Sequence, residues 1–298
     1  NVSDSFAIAQ EPGVLDPGLT ATSLRSQGNN LRNNFQIKHS WDDIIERWSG
    51  EAGYANTLYD YEQTGVGSRS ALLDRVEHLL TLMGRYRIFD ETETEALFGY
   101  SLGLTDNTSK DALDAAGNLP STRDNHSHYF FTGMGHKFNP ELKANGRIGL
   151  QYTEYPNASK AAPVFQSSTT SPYVDISGTW DYLPNSSLQL GIRHARVATD
   201  ISASIDAEAT TVYSSLNHEF VPGVKGSLLT QYQQTQFQQT VGQRDAADGM
   251  FTVGLNMEWQ FHQFVSLEGG YNYDRLDSDI GGRSYYRNRI YLGFKGTW

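Results

Sequence analysis

A strict alternation of apolar and polar residues is the main pattern in the chain. Between Phe251 and Phe261 every odd-numbered residue is apolar and every even-numbered residue is small or polar. Such a run predicts a β-strand with one apolar and one polar face. A strand that crosses a bilayer needs about 9–11 residues, whereas strands of soluble sheets average about 5–6. The length and the alternation together therefore favour a transmembrane β-barrel.

The same alternation recurs along most of the chain, and turn-forming residues separate the runs. We predict an all-β fold, a transmembrane antiparallel barrel of about fourteen strands. The predicted strands are 19–30, 31–42, 50–63, 70–87, 94–106, 124–137, 144–156, 170–182, 187–199, 208–220, 223–238, 247–260, 264–277 and 284–298. The barrel domain then spans 19–298. Residues 1–18 are expected to form an irregular lead-in, either a periplasmic tail or a segment inside the lumen.

Short and long connections alternate between the predicted strands. The short ones, several with Pro or Asn, lie near 88–95, 138–144, 183–187, 220–225 and 261–264. The long polar ones are 106–125, 156–171, 200–208, 239–249 and 274–283. Barrels of the Gram-negative outer membrane have short turns on the periplasmic side and longer loops outside. Since the strand number is even, we expect both termini to be periplasmic.

The alternation also predicts which side chains face the lumen and which face lipid. The candidate lumen-lining residues are charged, and they are Arg85, Arg87, Arg147, Asp175, Arg193, Glu258, Glu268, Arg287, Arg289 and Lys295. The candidate lipid-facing residues are Ile176, Trp180, Leu255, Met257, Trp259, Leu292 and Phe294. The polar set contains both signs of charge. It therefore fits either a network of cross-strand ion pairs or a polar conduit for a hydrated solute or glycan. Inward tyrosines offer ring faces to a sugar or simply fill space (Tyr129, Tyr173, Tyr213 and Tyr291).

Composition narrows the possible functions. No stretch approaches 18 consecutive apolar residues, and the mean hydropathy is −0.52, which excludes a helical membrane protein. The net charge of −11 argues against a nucleic-acid partner. The chain has no cysteine, so disulfides, thiolate zinc sites and cysteine nucleophiles are excluded. It starts at Asn1 rather than Met, as expected for a mature chain whose signal peptide has been removed.

No set of residues predicts catalysis, a cofactor or a metal. His39 and Ser40 are adjacent, so on a strand their side chains point to opposite faces and cannot form a hydrolytic pair. His126 and His128 share a face, but no third metal ligand is evident. Three loop carboxylates offer at most a loose calcium site, and solvated loop charge is the favoured interpretation (Asp274, Asp277 and Asp279). We therefore do not expect an enzyme.

The last two predicted strands carry the most specific sequence. Residues 266–273 read SLEGGYNY and residues 285–294 read YYRNRIYLGF. Together they resemble the last hairpin of the putative β-barrel porin 2 family, over about the last 50 residues. The resemblance implies an outer-membrane protein associated with exopolysaccharide biosynthesis and export. The terminal Trp298, preceded by alternating apolar residues, is similar to the strand signal that the barrel assembly machinery binds.

These observations lead to one hypothesis and three alternatives. The hypothesis is an outer-membrane, porin-like conduit or accessory in the export of an extracellular polysaccharide. The alternatives are a general diffusion porin, a structural barrel that anchors or scaffolds a larger envelope complex, and a lipid-edge enzyme. The expected partners are outer-membrane lipid, the assembly machinery, and a polysaccharide or envelope proteins, with no nucleic acid.

Overall fold

The fold is a single antiparallel sheet of fourteen strands in chain order, in a computed structural model that describes residues 2–9, 29–161, 166–239 and 246–296. The strands are β1 Val2–Ala9, β2 Asn30–Ile45, β3 Trp48–Tyr61, β4 Arg75–Phe89, β5 Thr94–Asn107, β6 Asn125–Lys137, β7 Leu142–Glu154, β8 Ser168–Leu183, β9 Ser186–Val197, β10 Ser204–Val221, β11 Val224–Gln239, β12 Ala246–His262, β13 Val265–Ser278 and β14 Tyr285–Gly296. Three short helices lie in the loops: α1 Arg69–Leu73 and two 3-10 turns, Pro120–Arg123 and Ala158–Lys160. The predicted all-β class and the number of strands are confirmed. No helix of the described ranges is long and apolar enough to cross a membrane.

The structure differs from the sequence prediction at the first strand. Residues 2–9 form β1 and pair with β2, although the sequence predicts an irregular lead-in there. Asp4 interrupts the apolar positions Val2, Phe6 and Ile8, so the pattern is too short to predict a strand. The predicted strand 19–30 lies almost entirely outside the described residues, and Asn30 already belongs to β2.

The predicted strand 70–87 begins later than expected, because α1 comes first. The Ser68 side chain accepts a hydrogen bond from the Ala71 amide and so caps the first turn of α1. Ala71 and Leu73 are buried, and Leu73 packs with Tyr59 and Tyr61. Burial of this apolar segment stabilises a helical turn where the pattern alone suggests a strand.

The asymmetry of the connections is confirmed. Six short turns lie at one end of the sheet, at 46–47, 90–93, 138–141, 184–185, 222–223 and 263–264. The connections at the other end are longer, and we call that end the loop end. Asn185 and Gly223, each directly after a proline, adopt positive φ angles of 57° and 85° in their turns. Both residue types tolerate this conformation, so the sequence signal for these turns has a direct structural cause.

The two faces of the sheet are inverted relative to a soluble protein. Large apolar side chains on one face, such as Leu82, Ile148 and Leu190, are exposed. Side chains on the other face, such as Ser101 and Thr252, are polar and buried, because the sheet curves around them. We call these the apolar face and the polar face. Exposing so many large side chains to water would cost about 1.5–3 kcal/mol each, so the apolar face requires a non-aqueous surrounding.

Glycines permit the curvature at β6 and β7. A Cβ atom at Gly149 would lie 1.9 Å from the Phe130 carbonyl oxygen, and one at Gly133 would lie 2.0 Å from the Gly146 carbonyl oxygen. Both obstacles are backbone atoms, which cannot move aside as a flexible side chain does. These two positions therefore require glycine, consistent with the use of glycine to bend strands.

Candidate functional site

The polar face contains all ten charged residues that the alternation places toward the lumen, and ion pairs connect most of them. On β2 to β4, Glu51 accepts from Arg85 at 2.6 Å and lies 2.7 Å from Lys38. On β8 and β9, Asp175 lies 3.6 Å from Arg193. Neighbouring strands thus contribute opposite charges at the same level of the sheet, as cross-strand pairing requires.

The strongest cluster on this face centres on Asp274, which is only 1% exposed. Arg287 donates to its Oδ2 atom from Nη2 at 2.7 Å, and Arg289 donates to the same atom at 3.0 Å. In the sequence, Asp274 belongs both to the predicted strand 264–277 and to the long polar stretch 274–283. The structure places it within β13, directly opposite Arg287. Its carboxylate is therefore a partner for two arginines rather than a calcium ligand.

The other predicted charges lie at the turn end or against aromatic rings. Glu258 accepts from Ser266 at 2.8 Å and lies 3.6 Å from Lys295, and Glu268 is its register neighbour on β13. Arg87 lies 3.9 Å from Asp90 in the β4–β5 turn. Arg147 lies over the Phe131 ring, 5.7 Å from its centroid.

A neutral part of the polar face was missed by the sequence analysis, which singled out charges. On β11 and β12 this face presents Gln231, Gln233, Thr252 and Asn256. Gln233 donates to Thr235 at 2.9 Å. The signal that could have found them is their position in the same alternation. Amide and hydroxyl side chains of this kind form hydrogen bonds with hydrated solutes without trapping a charge.

The four inward tyrosines differ in accessibility. Tyr173 is fully buried and contacts Tyr129 edge-on, so both fill space. Tyr213 and Tyr291 instead lie flat over glycines of the preceding strand. A Cβ on Gly191 would lie 2.4 Å from the Tyr213 ring, and one on Gly270 would lie 2.5 Å from the Tyr291 ring. The Tyr291 hydroxyl also donates to Asn256 at 3.0 Å. These two rings therefore line the polar face without projecting from it.

The apolar face contains all seven residues predicted to face lipid, and each is exposed. Aromatic residues flank this band at both ends. At the turn end Trp48 contacts Tyr86 and Trp180 contacts Tyr182. On the side of the band nearer the loop end, the hydroxyl of Tyr100 is 2.8 Å from His128 Nδ1. Belts of aromatic residues at two levels are typical of strands that cross a bilayer.

The distance between the two aromatic belts is comparable with the thickness of the apolar interior of a membrane. On β4, His78 is hydrogen-bonded to Tyr54 in the belt at the loop end, and Tyr86 lies in the other belt. Eight residues of strand separate them, or about 26 Å at about 3.3 Å per residue. A strand tilt of about 40° reduces this to about 20 Å along the membrane normal, close to the height of the apolar band in transmembrane barrels.

The long connections bind to one another above the polar face. We define the loop cap as residues 62–74, 108–124, 155–161, 198–203 and 279–284. The Gly67 amide donates to the Ala112 carbonyl at 2.8 Å, and Asn157 donates to Asp124 at 3.2 Å. These bonds join the first three loops in sequence order. The buried residues Tyr155, Ala158, Ala161 and Ile205 pack where the third loop meets β10.

Two arginines in other segments of the loop cap, Arg123 and Arg283, bind its fourth segment, residues 198–203. Arg123 donates to the Thr199 carbonyl at 3.3 Å and to the Ile201 carbonyl. Burial lowers the pKa of Arg123 to about 10, so its guanidinium remains charged at neutral pH. Burial alone would also lower the pKa of Arg283, but its bonds to Asp200 and Asp248 outweigh that effect and keep the pKa above its usual value.

Among the described residues, no group of three or more His, Asp and Glu side chains could hold a metal. His126 and His128 lie on the apolar face, and His128 is hydrogen-bonded to Tyr100. The functional groups that the polar face presents are therefore mainly paired charges, amides and hydroxyls.

A protein-family model matches the C-terminal part of the chain. Residues 163–297 match the family model described as "Putative beta-barrel porin 2". The resemblance to the putative β-barrel porin 2 family is confirmed. The matched range extends far beyond the last hairpin and contains β8 to β14, so the Asp274 cluster and both flat tyrosines lie within it. The association with exopolysaccharide is not part of that match.

Solved structures and curated proteins add little to this porin match. Among the solved structures that match, a chain titled "Copper transporter OprC" has a TM-score of 0.49 and 12% sequence identity. The match covers 89% of this chain and 49% of that one, so the chain spans about half the length of that transporter. The search of curated proteins gives no match.

Proposed function

We propose that the protein is a non-enzymatic outer-membrane β-barrel that conducts hydrated solutes, and that its cargo is an extracellular polysaccharide during export. The observation that carries the first part is the inversion of the sheet: the apolar face is exposed and the polar face is buried. Such a sheet is stable where lipid covers the outside and water or polar groups fill the inside. The porin family match supports the same assignment.

Closure of the barrel is part of the proposal. β1 pairs with β2 so that Val2 lies opposite Ile37, toward the turn end, while β14 runs from the loop end to the turn end. β1 and β14 are thus oriented to pair antiparallel. Closure between them would satisfy the backbone groups of both strands, as the membrane interior demands. Both termini would then be periplasmic, because short turns face the periplasm in known barrels.

The polysaccharide cargo is supported by the chemistry of the polar face and by the family resemblance. Its charges are largely neutralised in pairs such as Arg287 with Asp274. The neutral amides and hydroxyls of β11 and β12 can exchange hydrogen bonds with sugar hydroxyls. A polymer would therefore meet many weak contacts and no deep trap, which suits passage.

A general diffusion porin is the first alternative, and a scaffold for an envelope complex is the second. The diffusion porin would use the same polar face for small solutes. The scaffold would require no conducting path at all, and the extensive bonding within the loop cap is the observation that favours it. Conductance separates the scaffold from the two channels. Export by cells separates the polysaccharide channel from the diffusion porin.

The absence of cysteine from the chain makes a direct test possible. Asn256→Cys places a thiol on the polar face, and Met257→Cys places one on the apolar face as a matched neighbour. In planar bilayers, a charged thiol reagent added from the aqueous side should change the conductance of Asn256→Cys and leave that of Met257→Cys unchanged. Lack of conductance, or equal responses of both variants, would contradict a channel lined by the polar face.

The cargo needs a second measurement. Cells that lack the protein should secrete less polysaccharide, and the wild-type chain should restore secretion. Normal secretion in those cells, with reduced uptake of small solutes, would identify a general diffusion porin instead.

A further inference from the structure

Three segments of the loop cap meet at one point although they start far apart on the sheet. Arg123 belongs to the β5–β6 loop, Asp200 to the β9–β10 loop and Arg283 to the β13–β14 loop. Arg283 donates to both carboxylate oxygens of Asp200, at 2.8 and 3.1 Å. Arg123 donates to the carbonyls of Thr199 and Ile201 in the same β9–β10 loop. The β9–β10 loop is therefore the common partner of the other two.

The three loops must extend away from the edge of the sheet to make these contacts. The four strands β6 to β9 lie between the β5–β6 and β9–β10 loops, and the four strands β10 to β13 lie between the β9–β10 and β13–β14 loops. Adjacent strands lie about 4.8 Å apart, so four intervals measure about 19 Å along the sheet. This exceeds the reach of one arginine side chain. The loops therefore lean inward and bridge the distance themselves.

Packing shows that they lean over the polar face. Ile201 and Ile280, from the β9–β10 and β13–β14 loops, pack against the buried cluster of Ala207, Phe237 and Ala246. Phe237 follows Gln231 and Gln233 on the polar face of β11. The Arg283 guanidinium lies 5.5 Å from the centroid of the Phe237 ring. The convergence point therefore covers part of the opening that the polar face surrounds.

These contacts are buried, which makes them persistent. Arg123 is 4% exposed, and Arg283 is bonded to Asp248 on the β12 wall as well as to Asp200. Exposed ion pairs contribute little to stability, whereas breaking a buried one leaves a charge without its partner. Two buried arginines thus hold the loops in a fixed position above the polar face.

We propose that the loop cap is the size filter of the channel, with Arg123, Asp200 and Arg283 fixing the width of its outer opening. The filter admits small hydrated solutes and a single extended polysaccharide chain, and it excludes branched or globular molecules. This inference rests on the proposed channel function and specifies which cargo can pass.

The test measures which neutral polymers enter the channel. Polyethylene glycols of increasing size are added to planar bilayers that contain the protein, and the largest one that still reduces the single-channel conductance defines the exclusion limit. Arg283→Gln and Arg123→Gln should shift this limit to larger polymers and raise the conductance. Arg275→Gln is the matched control, because Arg275 forms an exposed pair with Asp277 on its own strand and, among the described residues, bonds to none in another loop.

A second variant guards against loss of folding. Asp200→Asn removes the negative charge and one of the two acceptor oxygens that Arg283 binds in the β9–β10 loop, and it leaves the bond between Arg283 and Asp248 in place. An exclusion limit that shifts in Asp200→Asn and stays constant in Arg275→Gln supports the filter. Folded Asp200→Asn and Arg123→Gln variants with the wild-type limit would overturn it. A wild-type protein that does not conduct would instead reject the channel function itself.

Discussion

Arg287 donates two hydrogen bonds to Asp274, from Nε at 3.1 Å and from Nη2 at 2.7 Å, and the two residues stand opposite each other on β13 and β14. Arg289 binds the same carboxylate oxygen. Ion pairs on the polar face thus connect the two strands of the last hairpin. This hairpin carries the most specific sequence in the chain. Arg287 and Arg289 of that hairpin are in this sense structural, since both have a partner within the protein.

Asp274→Asn should destabilise the protein by up to about 3 kcal/mol, because two half-buried guanidinium groups lose the buried carboxylate that they share. Unfolding in urea or the temperature at which the folded band disappears in detergent gels would measure the loss. Asp277→Asn is the control: Asp277 is 66% exposed and its pair with Arg275 should be worth less than about 1 kcal/mol. Similar losses in both variants would contradict a structural role for the Asp274 cluster.

Replacing both Arg287 and Arg289 with Gln separates stability from conduction. The expected outcome is a less heat-resistant barrel whose folded fraction keeps wild-type anion selectivity, because both side chains are already paired with Asp274. Single-channel recordings in asymmetric salt provide the measurement. A stable double variant with altered selectivity would show that these arginines act on the permeating ion.

Leu255→Arg should cost about 2–4 kcal/mol if Leu255 contacts lipid near the bilayer midplane. Its side chain is 47% exposed on the apolar face. Gly254→Arg is the comparison on the polar face, where a new Cβ would meet only the Asn272 amide oxygen at 3.0 Å and Leu229 at 3.7 Å. The free energies of unfolding in detergent or lipid should differ, and equal values would contradict the face assignment.

Gly149→Ala should destabilise by about 1–3 kcal/mol or more, because the new methyl group meets the Phe130 carbonyl oxygen rather than a movable side chain. Gly53→Ala on β3 provides a matched control, since its Cβ would lie 3.9 Å from the nearest atom outside its neighbours. Thermal unfolding of both variants would test the assignment. A neutral Gly149→Ala would show that the strand is not bent as described.

Asp74 in the loop cap predicts a pH effect. Burial raises the pKa of Asp74 above its ordinary 3.8, although hydrogen bonds from Ser70 and the Tyr61 amide oppose the shift. A carboxyl group with a raised pKa stabilises the folded state most below its ordinary pKa, and this contribution is lost as the pH rises through the raised value. The stability of Asp74→Asn relative to the wild type should therefore improve between acidic and neutral pH. A difference in melting temperature that is independent of pH would contradict this.

Much of the fold could be predicted from the sequence because it depends on a local periodicity. Leu255 and Met257 alternate with polar neighbours, and the same period fixed the faces of Arg193 and Glu258. β1 escaped prediction because Asp4 breaks the pattern in a segment of eight residues. Strand order followed from the short turns, several of which carry Pro, Asn or Gly.

The loop cap could not be predicted, and the reason is physical. Arg283 and Asp200 are 83 residues apart, and neither lies in a periodic segment. Their contact depends on how far the loops lean over the sheet, which the alternation of side chains does not encode. Asp274 was also grouped with the loop carboxylates, for a related reason: an acidic residue near a strand end resembles loop charge unless its cross-strand partners are known.

The chain-order arrangement of the sheet has a consequence for how such proteins change over time. Because each strand pairs with the one before and the one after it, deleting or duplicating a whole hairpin leaves every other pair intact. In the proposed closed barrel, only the seam between the first and last strands would need to re-form. The circumference can therefore grow or shrink in steps of two strands, and proteins of very different bore can descend from a common ancestor through the gain or loss of hairpins.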